Sequence, residues 1–226
     1  MDTRAATDNP RAADGRLPGR RGRATRQRLL QVTEEVLAEV SFLDVKVTDI
    51  SRRAGTSPAT FYQYFADVEA AVFTLAEEMV ESGSEALRSL VVDPSWDGPE
   101  AAEELAAGFL RYFEEHKAML RVIDIATTEG DVRFRELRVR LLNGVFLALQ
   151  ELAQAAHAEG RLATGVDPGA AAGVLTTMLA HVSAHQPGFQ SWGVEPAALK
   201  QTMASLIDWT VRSESQHHQE WGIVPP

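Results

Sequence analysis

The stretch Val47-Thr48-Asp49-Ile50-Ser51-Arg52-Arg53-Ala54-Gly55-Thr56-Ser57-Pro58-Ala59-Thr60-Phe61-Tyr62-Gln63-Tyr64-Phe65 decides the fold. Thr48 is a capping residue, and Asp49 after it is favourable at the positive end of a helix dipole, so a short helix is predicted to open here. Ile50 and Ala54 share its inner face. Gly55 follows at once and supplies the left-handed conformation that ends a helix and turns the chain. Ser57 then reads as a cap and Pro58 as the first residue of another helix, where its missing N–H costs nothing. That helix is predicted to end near Phe65, because Asp67 reads as the cap of the next one, beginning Val68-Glu69. Two short helices joined by a turn with Gly, after a longer first helix, make a helix-turn-helix of the DNA-binding type. Ser51 and Ala54 are small where the two helices approach, and Ile50, Phe61 and Phe65 supply the apolar contacts.

The helical wheel separates the faces of the second short helix. With Phe61 at zero and about 100° per residue, Phe65 falls near 40° and Tyr64 near −60°, inward or flanking. Ala59 and Gln63 point outward at about 160° and 200°, with Thr60 and Tyr62 on the shoulders. In a major groove Gln63 can make a bidentate contact to adenine, Ala59 can touch a thymine methyl, and Thr60 and Tyr62 suit phosphates.

Residues 47–65, with the Thr-Phe-Tyr-Gln-Tyr-Phe hexapeptide at their end, resemble the N-terminal signature of the TetR family of transcriptional regulators, and the likeness is specific over residues 25–75. Within that family the hexapeptide and the segment after it are most similar to the actinobacterial subgroup of ethionamide-resistance regulators. The resemblance implies a three-helix DNA-binding domain, leading by a fourth helix into a divergent helical domain that dimerises and binds a small-molecule effector. One departure stands out. Family members commonly carry Lys just inside the fourth helix, where it meets DNA phosphate, and here that position is Val68, preceded by Asp67.

Working outward, the first helix is predicted from Thr25 as its cap, with Leu29, Thr33, Val36, Leu37 and Val40 recurring at three and four residues. Before it, residues 1–22 are polar, Gly/Pro-punctuated and Arg-rich, which reads as a disordered basic arm. Residues 1–30 hold eight Arg against three Asp, a balance of +5. The arm's Arg20, Arg21 and Arg23, with Arg26 and Arg28, are expected to replace the missing phosphate contact by entering a minor groove or neutralising backbone. The candidate DNA-binding set is thus Arg20, Arg21, Arg23, Arg26, Thr48, Ser57, Pro58, Ala59, Thr60, Tyr62, Gln63 and Tyr64.

The rest is acidic: residues 66–226 carry 11 Lys/Arg against 24 Asp/Glu, a balance of −13, within a whole-chain net charge of −10. Alanine, leucine, glutamate and arginine dominate with no alternating strand pattern, so the chain is read as all-α. Breaks at 94–99, 127–131, 160–168 and 187–196 delimit helices near 68–91, 100–114, 116–126, 131–158, 168–185 and 196–212. The domains expected are an arm (1–22), a helix-turn-helix domain (23–66), a larger helical effector-binding and dimerisation domain (67–212) and a flexible tail (213–226), the last including His217 and His218.

Large apolar side chains at helical spacing give the candidate ligand-binding set: Phe109 and Phe113, Met119 and Ile123, then Phe146, Met178 and Trp209. The residues from Pro168 to Val194 contain no Asp, Glu, Lys or Arg. Their Gly, Thr, His and Pro content leaves no run of about 20 mainly apolar residues, so a membrane span is not expected. Depletion of charge marks the core of homodimer interfaces, so helices 168–185 and 196–212 are the expected dimer surface. Ala170, Ala171, Val174, Met178, His181 and Val182 present it.

Cys is absent, which excludes disulfides, thiolate metal sites and a cysteine nucleophile. His181 and His185 have metal-like spacing, but no Asp or Glu accompanies them on that helix, and no metal is expected. Consecutive carboxylate pairs such as Glu77-Glu78 splay about 100° apart and suit a solvated face. No nucleophile triad, phosphate-binding loop or dinucleotide fingerprint appears, so neither enzymatic activity nor a cofactor is expected. With no apolar N-terminal stretch, the chain is read as soluble and cytoplasmic.

The resulting expectation is a homodimeric regulator, a repressor, released from a pseudo-palindromic double-stranded DNA operator by a small apolar effector. Two other readings remain at this point. One is an effector-independent architectural DNA-binding protein, which a body without a sizeable cavity would favour. The other is a helical enzyme or carrier with a vestigial N-terminal domain, which loss of operator binding on Gln63→Ala would dismiss. If the arm neutralises phosphates, removing residues 1–24 weakens binding to every DNA sequence. Titrations across salt concentration should then show a slope lower by about 0.9 per lost phosphate contact.

Overall fold

The computed structural model describes residues 19–91, 98–162 and 165–211, and among these every regular element is helical. The expected tail and residues 1–18 of the expected arm lie outside the described residues. Contacts within the chain group it into two compact units, divided after Glu78.

The first unit begins with α1 (Arg20–Glu39). Its start corrects the expectation of a cap at Thr25: Arg23 N–H already donates to the Gly19 carbonyl at 3.0 Å. The Thr25 hydroxyl instead donates back along the helix to the Arg21 carbonyl. Arginine is a good helix former, so the end of the expected arm, with Arg20 and Arg21, is helical and runs on through Arg23. A 3-10 turn (Phe42–Asp44) connects α1 to α2 (Val47–Arg53). Here too the cap moves. Asp49 and Ile50 N–H groups donate to the Lys46 carbonyl at 3.0 and 3.2 Å, which places Thr48 inside the helix rather than at its cap.

Gly55 ends α2 as expected, with φ 67°, a conformation that costs a residue with a Cβ. Helix α3 (Pro58–Tyr62) follows, with the Ser57 hydroxyl accepting from Thr60 N–H at 3.1 Å. It stops at Tyr62 rather than near Phe65, because Gln63 and Tyr64 N–H groups donate three residues back, to Thr60 and Phe61, tightening the last turn. Asp67 caps α4 (Val68–Ser89) as expected, accepting from Ala70 N–H at 2.7 Å. The core of this unit is Leu29, Leu30, Val32, Val36, Ile50, Phe61, Phe65 and Ala71, with Ala54, Tyr64 and Val68 partly buried against it.

The second unit contains the last turns of α4, then α5 (Gly98–Glu115), α6 (Lys117–Thr128), α7 (Val132–Ala158), α8 (Pro168–Ala184), α9 (Gln186–Ser191) and α10 (Pro196–Val211). Sequence breaks located these helices except α9, which falls where 187–196 was read as a break. Pro187 stands in its first turn, where proline starts a helix as readily as it ends one. Asp167 caps α8 by accepting from Ala170 N–H at 2.7 Å. The core includes Leu87, Leu105, Phe109, Ile123, Phe134, Leu137, Leu141, Leu149, Leu175, Leu179 and Ile207.

Two glycines mark close approaches in this unit. A Cβ on Gly83 would lie 1.8 Å from the Tyr112 hydroxyl, and one on Gly108 would lie 2.5 Å from Leu90 Cδ1. Tyr112 is buried and its hydroxyl has no hydrogen-bond partner among the described residues. Burial pushes that hydroxyl up to about 12 from its ordinary 10.0. The folded state therefore keeps a proton that the unfolded chain releases, and stability falls as pH rises from about 10 to about 12. Tyr112→Phe should remove this component, seen as a flatter stability-versus-pH curve than wild type in alkaline denaturation. At neutral pH the variant should match wild type or gain about 1 kcal/mol, because the hydroxyl it loses is unpaired.

Candidate functional site

The side chains of the α2-turn-α3 corner are disposed as the helical wheel predicts. Ala59 and Gln63 are exposed, Tyr62 is 53% exposed, and Thr60 is half-buried beside the Ser57 hydroxyl at 3.0 Å. Phe61 is fully buried on the opposite side, in edge contact with Tyr62 and 5.6 Å from Phe65. Tyr64, included in the candidate DNA-binding set, is half-buried against the core, as its position on the wheel implies. Thr48, Ser57 and Pro58 lie exposed along the same corner.

The arginines divide into two groups. Arg20, Arg21 and Arg23 are exposed on the first turns of α1. Arg26 turns inward, its side chain 17% exposed, with one guanidinium nitrogen 3.9 Å from a Glu78 carboxylate oxygen. Its guanidinium carbon lies 5.3 Å from the centre of the Phe65 ring. A further pair escapes sequence reasoning: Arg53 donates to both Glu39 oxygens, at 2.7 and 2.6 Å, tying the end of α1 to the end of α2. These hydrogen bonds hold the Glu39 carboxyl below its usual range. Opposite charges fourteen residues apart follow no helical spacing, so only the fold reveals them.

In the second unit, two adjoining cavities of about 440 and 220 Å³ share Phe113, Leu120, Asp124, Thr128, Ala184 and His185 in their walls. They lie among the end of α5, α6, α7 and the corner between α8 and α9. Of the candidate ligand-binding residues, Phe113 and Ile123 line them, whereas Phe109, Met119, Phe146, Met178 and Trp209 do not. The reason is packing: Phe109 is fully buried and stacked at 6.0 Å on Phe113, and Met119 is buried. Phe146 approaches Gly173 of α8, and Trp209 turns outward at 57% exposure. The wall also carries charge, including Lys117 paired with Glu114 at 2.6 Å and Asp124 paired with Arg138 at 2.8 Å. Such residues carry no apolar periodicity, so the sequence pattern passed over them.

His181 and His185 stack ring on ring at 4.1 Å, and the His181 carbonyl accepts from His185 Nδ1 at 2.9 Å. Among the described residues no group of three or more His, Asp or Glu side chains forms a metal-binding cluster, and no helix is long and apolar enough to cross a membrane. On α8, Val174 is 67% exposed beside exposed Ala170, Thr177 and His181. Ala171, expected on that outer face, is buried. On α10, Leu206 is 40% exposed next to Trp209.

A helix-turn-helix with an outward Gln/Tyr face, followed by a cavity-bearing helical body, is the architecture of ligand-responsive transcriptional regulators. Residues 29–70 match the family description "Bacterial regulatory proteins, tetR family", and residues 87–217 match "Tetracyclin repressor-like, C-terminal domain". The chain therefore belongs to the TetR family of transcriptional regulators. It is 32% identical over 94 residues to the HTH-type transcriptional regulator EthR of Mycobacterium tuberculosis, a match covering 41% of this chain and 44% of that protein. It thus spans less than half the length of the curated relatives it matches.

Solved structures share the fold over most of the chain. The fatty acid degradation regulator FadR from Bacillus halodurans superposes with a TM-score of 0.63 at 19% identity, over 85% of this chain and 97% of that one. FadR from Bacillus subtilis, solved in complex with stearoyl-CoA, gives 0.60 at 16% identity, over 80% and 97%.

Proposed function

We propose that this protein is a homodimeric DNA-binding repressor, released from a pseudo-palindromic operator by a small apolar effector. The observation that carries the reading is the α3 surface: Ala59, Tyr62 and Gln63 outward, with Phe61 fixed in the core beneath them. Gln63 is the base-reading side chain, bidentate to an adenine. Ala59 touches a thymine methyl, and Thr60, Tyr62, Thr48, Ser57 and Pro58 line the backbone on either side. Arg20, Arg21 and Arg23 add the sequence-independent attraction to phosphate. Residues 23–66 form the DNA-binding domain and residues 67–212 the effector and dimer domain.

The effector cavity is the pair of adjoining spaces lined by Phe113, Leu120, Ile123 and Asp124. The larger is of the size that takes a small organic ligand, typically 300–1,000 Å³. This favours an effector-responsive regulator over an architectural DNA-binding protein. An effector with an apolar body accords with the stearoyl-CoA bound by the Bacillus subtilis regulator of the same fold. Release requires that the effector prefer the conformation that does not fit the operator, with a coupling of about 1–3 kcal/mol in a typical case.

Dimerisation uses the outer faces of α8 and α10, where Val174, Leu206 and Trp209 are exposed and where α8 brings no Asp, Glu, Lys or Arg to desolvate. Two copies would place two α3 helices on half-sites one helical turn apart.

Gln63→Ala should cost about 1–3 kcal/mol of operator affinity and relax preference at one base pair per half-site. Footprinting and selection from a random-sequence duplex pool measure both, and unchanged preference would remove Gln63 from the reading role. Val174→Glu combined with Trp209→Glu should turn the dimer into monomer in sedimentation equilibrium. An unchanged mass would move the interface elsewhere.

A further inference from the structure

We propose that Arg26 is a positioning residue for the DNA-reading helix and not a contact to DNA. The inference rests on the DNA-binding reading above. Arg26 begins as one of several arginines near the chain's N-terminus, yet its surroundings differ from theirs. Arg20, Arg21 and Arg23 are exposed, whereas the Arg26 side chain is 17% exposed and engaged twice inside the first unit. Its guanidinium carbon stands 5.3 Å from the centre of the Phe65 ring. One of its nitrogens stands 3.9 Å from a carboxylate oxygen of Glu78. A guanidinium seated on an aromatic ring and beside a carboxylate is drawn inward and partly compensated, so it is poorly placed to meet a phosphate.

The three groups come from different elements: Arg26 from α1, Phe65 from the segment after α3, and Glu78 from α4. Phe65 is itself 5.6 Å from Phe61, the buried residue of α3. A chain of contacts therefore runs from Glu78 through Arg26 and Phe65 to Phe61. Helix α3 has only five residues, Pro58 to Tyr62, so its own hydrogen bonds do not fix its orientation. Its orientation comes from what seats Phe61 and Phe65. Ala59 and Gln63 lie on the face away from Phe61, and a small roll of α3 about that seat redirects both. A recognition group must be held within about 0.5 Å and 10–20° of its productive geometry. Arg26 is placed to limit that roll.

The test separates a positioning residue from a phosphate contact and from a merely structural one. Full-length wild type, Arg26→Ala, Arg26→Lys and Glu78→Gln are titrated across salt concentration. The probes are the duplex that wild type selects from a random pool and a shuffled duplex of the same composition. Amide hydrogen exchange of residues 60–65 is measured on each protein without DNA. Arg26→Ala should bind the selected duplex at least tenfold more weakly, with shuffled-duplex binding and salt slope unchanged, and with faster exchange at residues 60–65. Arg26→Lys keeps the charge but not the planar group that stacks, so it should behave like Arg26→Ala. Glu78→Gln should show a smaller loss of the same kind, and it stands in if the Arg26 variants do not fold.

Equal loss on both duplexes with a slope lower by about 0.9 would make Arg26 a phosphate contact and overturn the proposal. Equal loss with an unchanged slope would make it a general stability residue, and unchanged affinity or unchanged exchange would also overturn it. If wild type selects no duplex, the DNA-binding reading fails instead, and the exchange of residues 60–65 alone decides whether Arg26 holds the α3 segment.

Discussion

The seating of Phe61 is the constraint on which the reading surface depends. Fully buried among Leu29, Leu30, Val32, Val36, Ile50 and Phe65, it anchors a helix too short to persist by itself. Everything local to α3 serves that anchor: the Gly55 turn that aims the chain, the Ser57 hydroxyl and Pro58 that start the helix, and the tightened turn at Gln63 and Tyr64 that ends it. With Phe61 fixed, the helical period leaves Ala59 and Gln63 facing out. Which side chains of α3 face outward is in this sense a by-product of core packing.

Charge works on a longer length scale. A net charge of −10 looks hostile to a polyanion, but the average hides a chain whose first 65 residues hold 11 Lys/Arg against 8 Asp/Glu while the remainder is strongly acidic. Within the first unit, several of those cations are committed to internal work: Arg53 to Glu39, Arg52 to Asp49, Arg26 to Phe65 and Glu78. Counting basic residues therefore overstates how many of them have no carboxylate or aromatic partner within the first unit.

What could be read from the sequence tracked the range of the physics. The corner from α2 to α3 was legible because Gly55, Ser57, Pro58 and Asp67 act through bonds to residues three or four away. The all-α class and the helix breaks were legible for the same reason. The start of α1 was not, because Thr25 has a cap's chemistry while the arginines before it are content to be helical, and nothing local decides between them. α9 was missed because Pro187 is as much a starter as a breaker. The inward turn of Arg26 and the Arg53–Glu39 pair depend on partners 14 or more residues away. The cavity was only half visible: Phe113 and Ile123 line it, but an apolar stripe looks alike whether it meets another helix, as Phe109 does, or an empty space.

The two glycine approaches impose different rules on how this domain can change over generations. At Gly108 the obstruction is the branched end of Leu90, with Cδ1, Cδ2 and Cγ at 2.5, 2.6 and 3.1 Å, a flexible side chain whose rotation alone would make room for a methyl. At Gly83 the obstruction is the far end of a rigid, buried ring. Alanine at position 83 becomes accessible only after position 112 has given up its ring, because even without the hydroxyl the ring carbon Cζ would stand 2.6 Å from the new Cβ. The reverse order passes through an intermediate with overlapping atoms. The pair thus has a direction of descent written into it, tyrosine yielding before glycine, and lineages of this fold that carry a side chain at position 83 should first have replaced the ring at 112 with a smaller side chain.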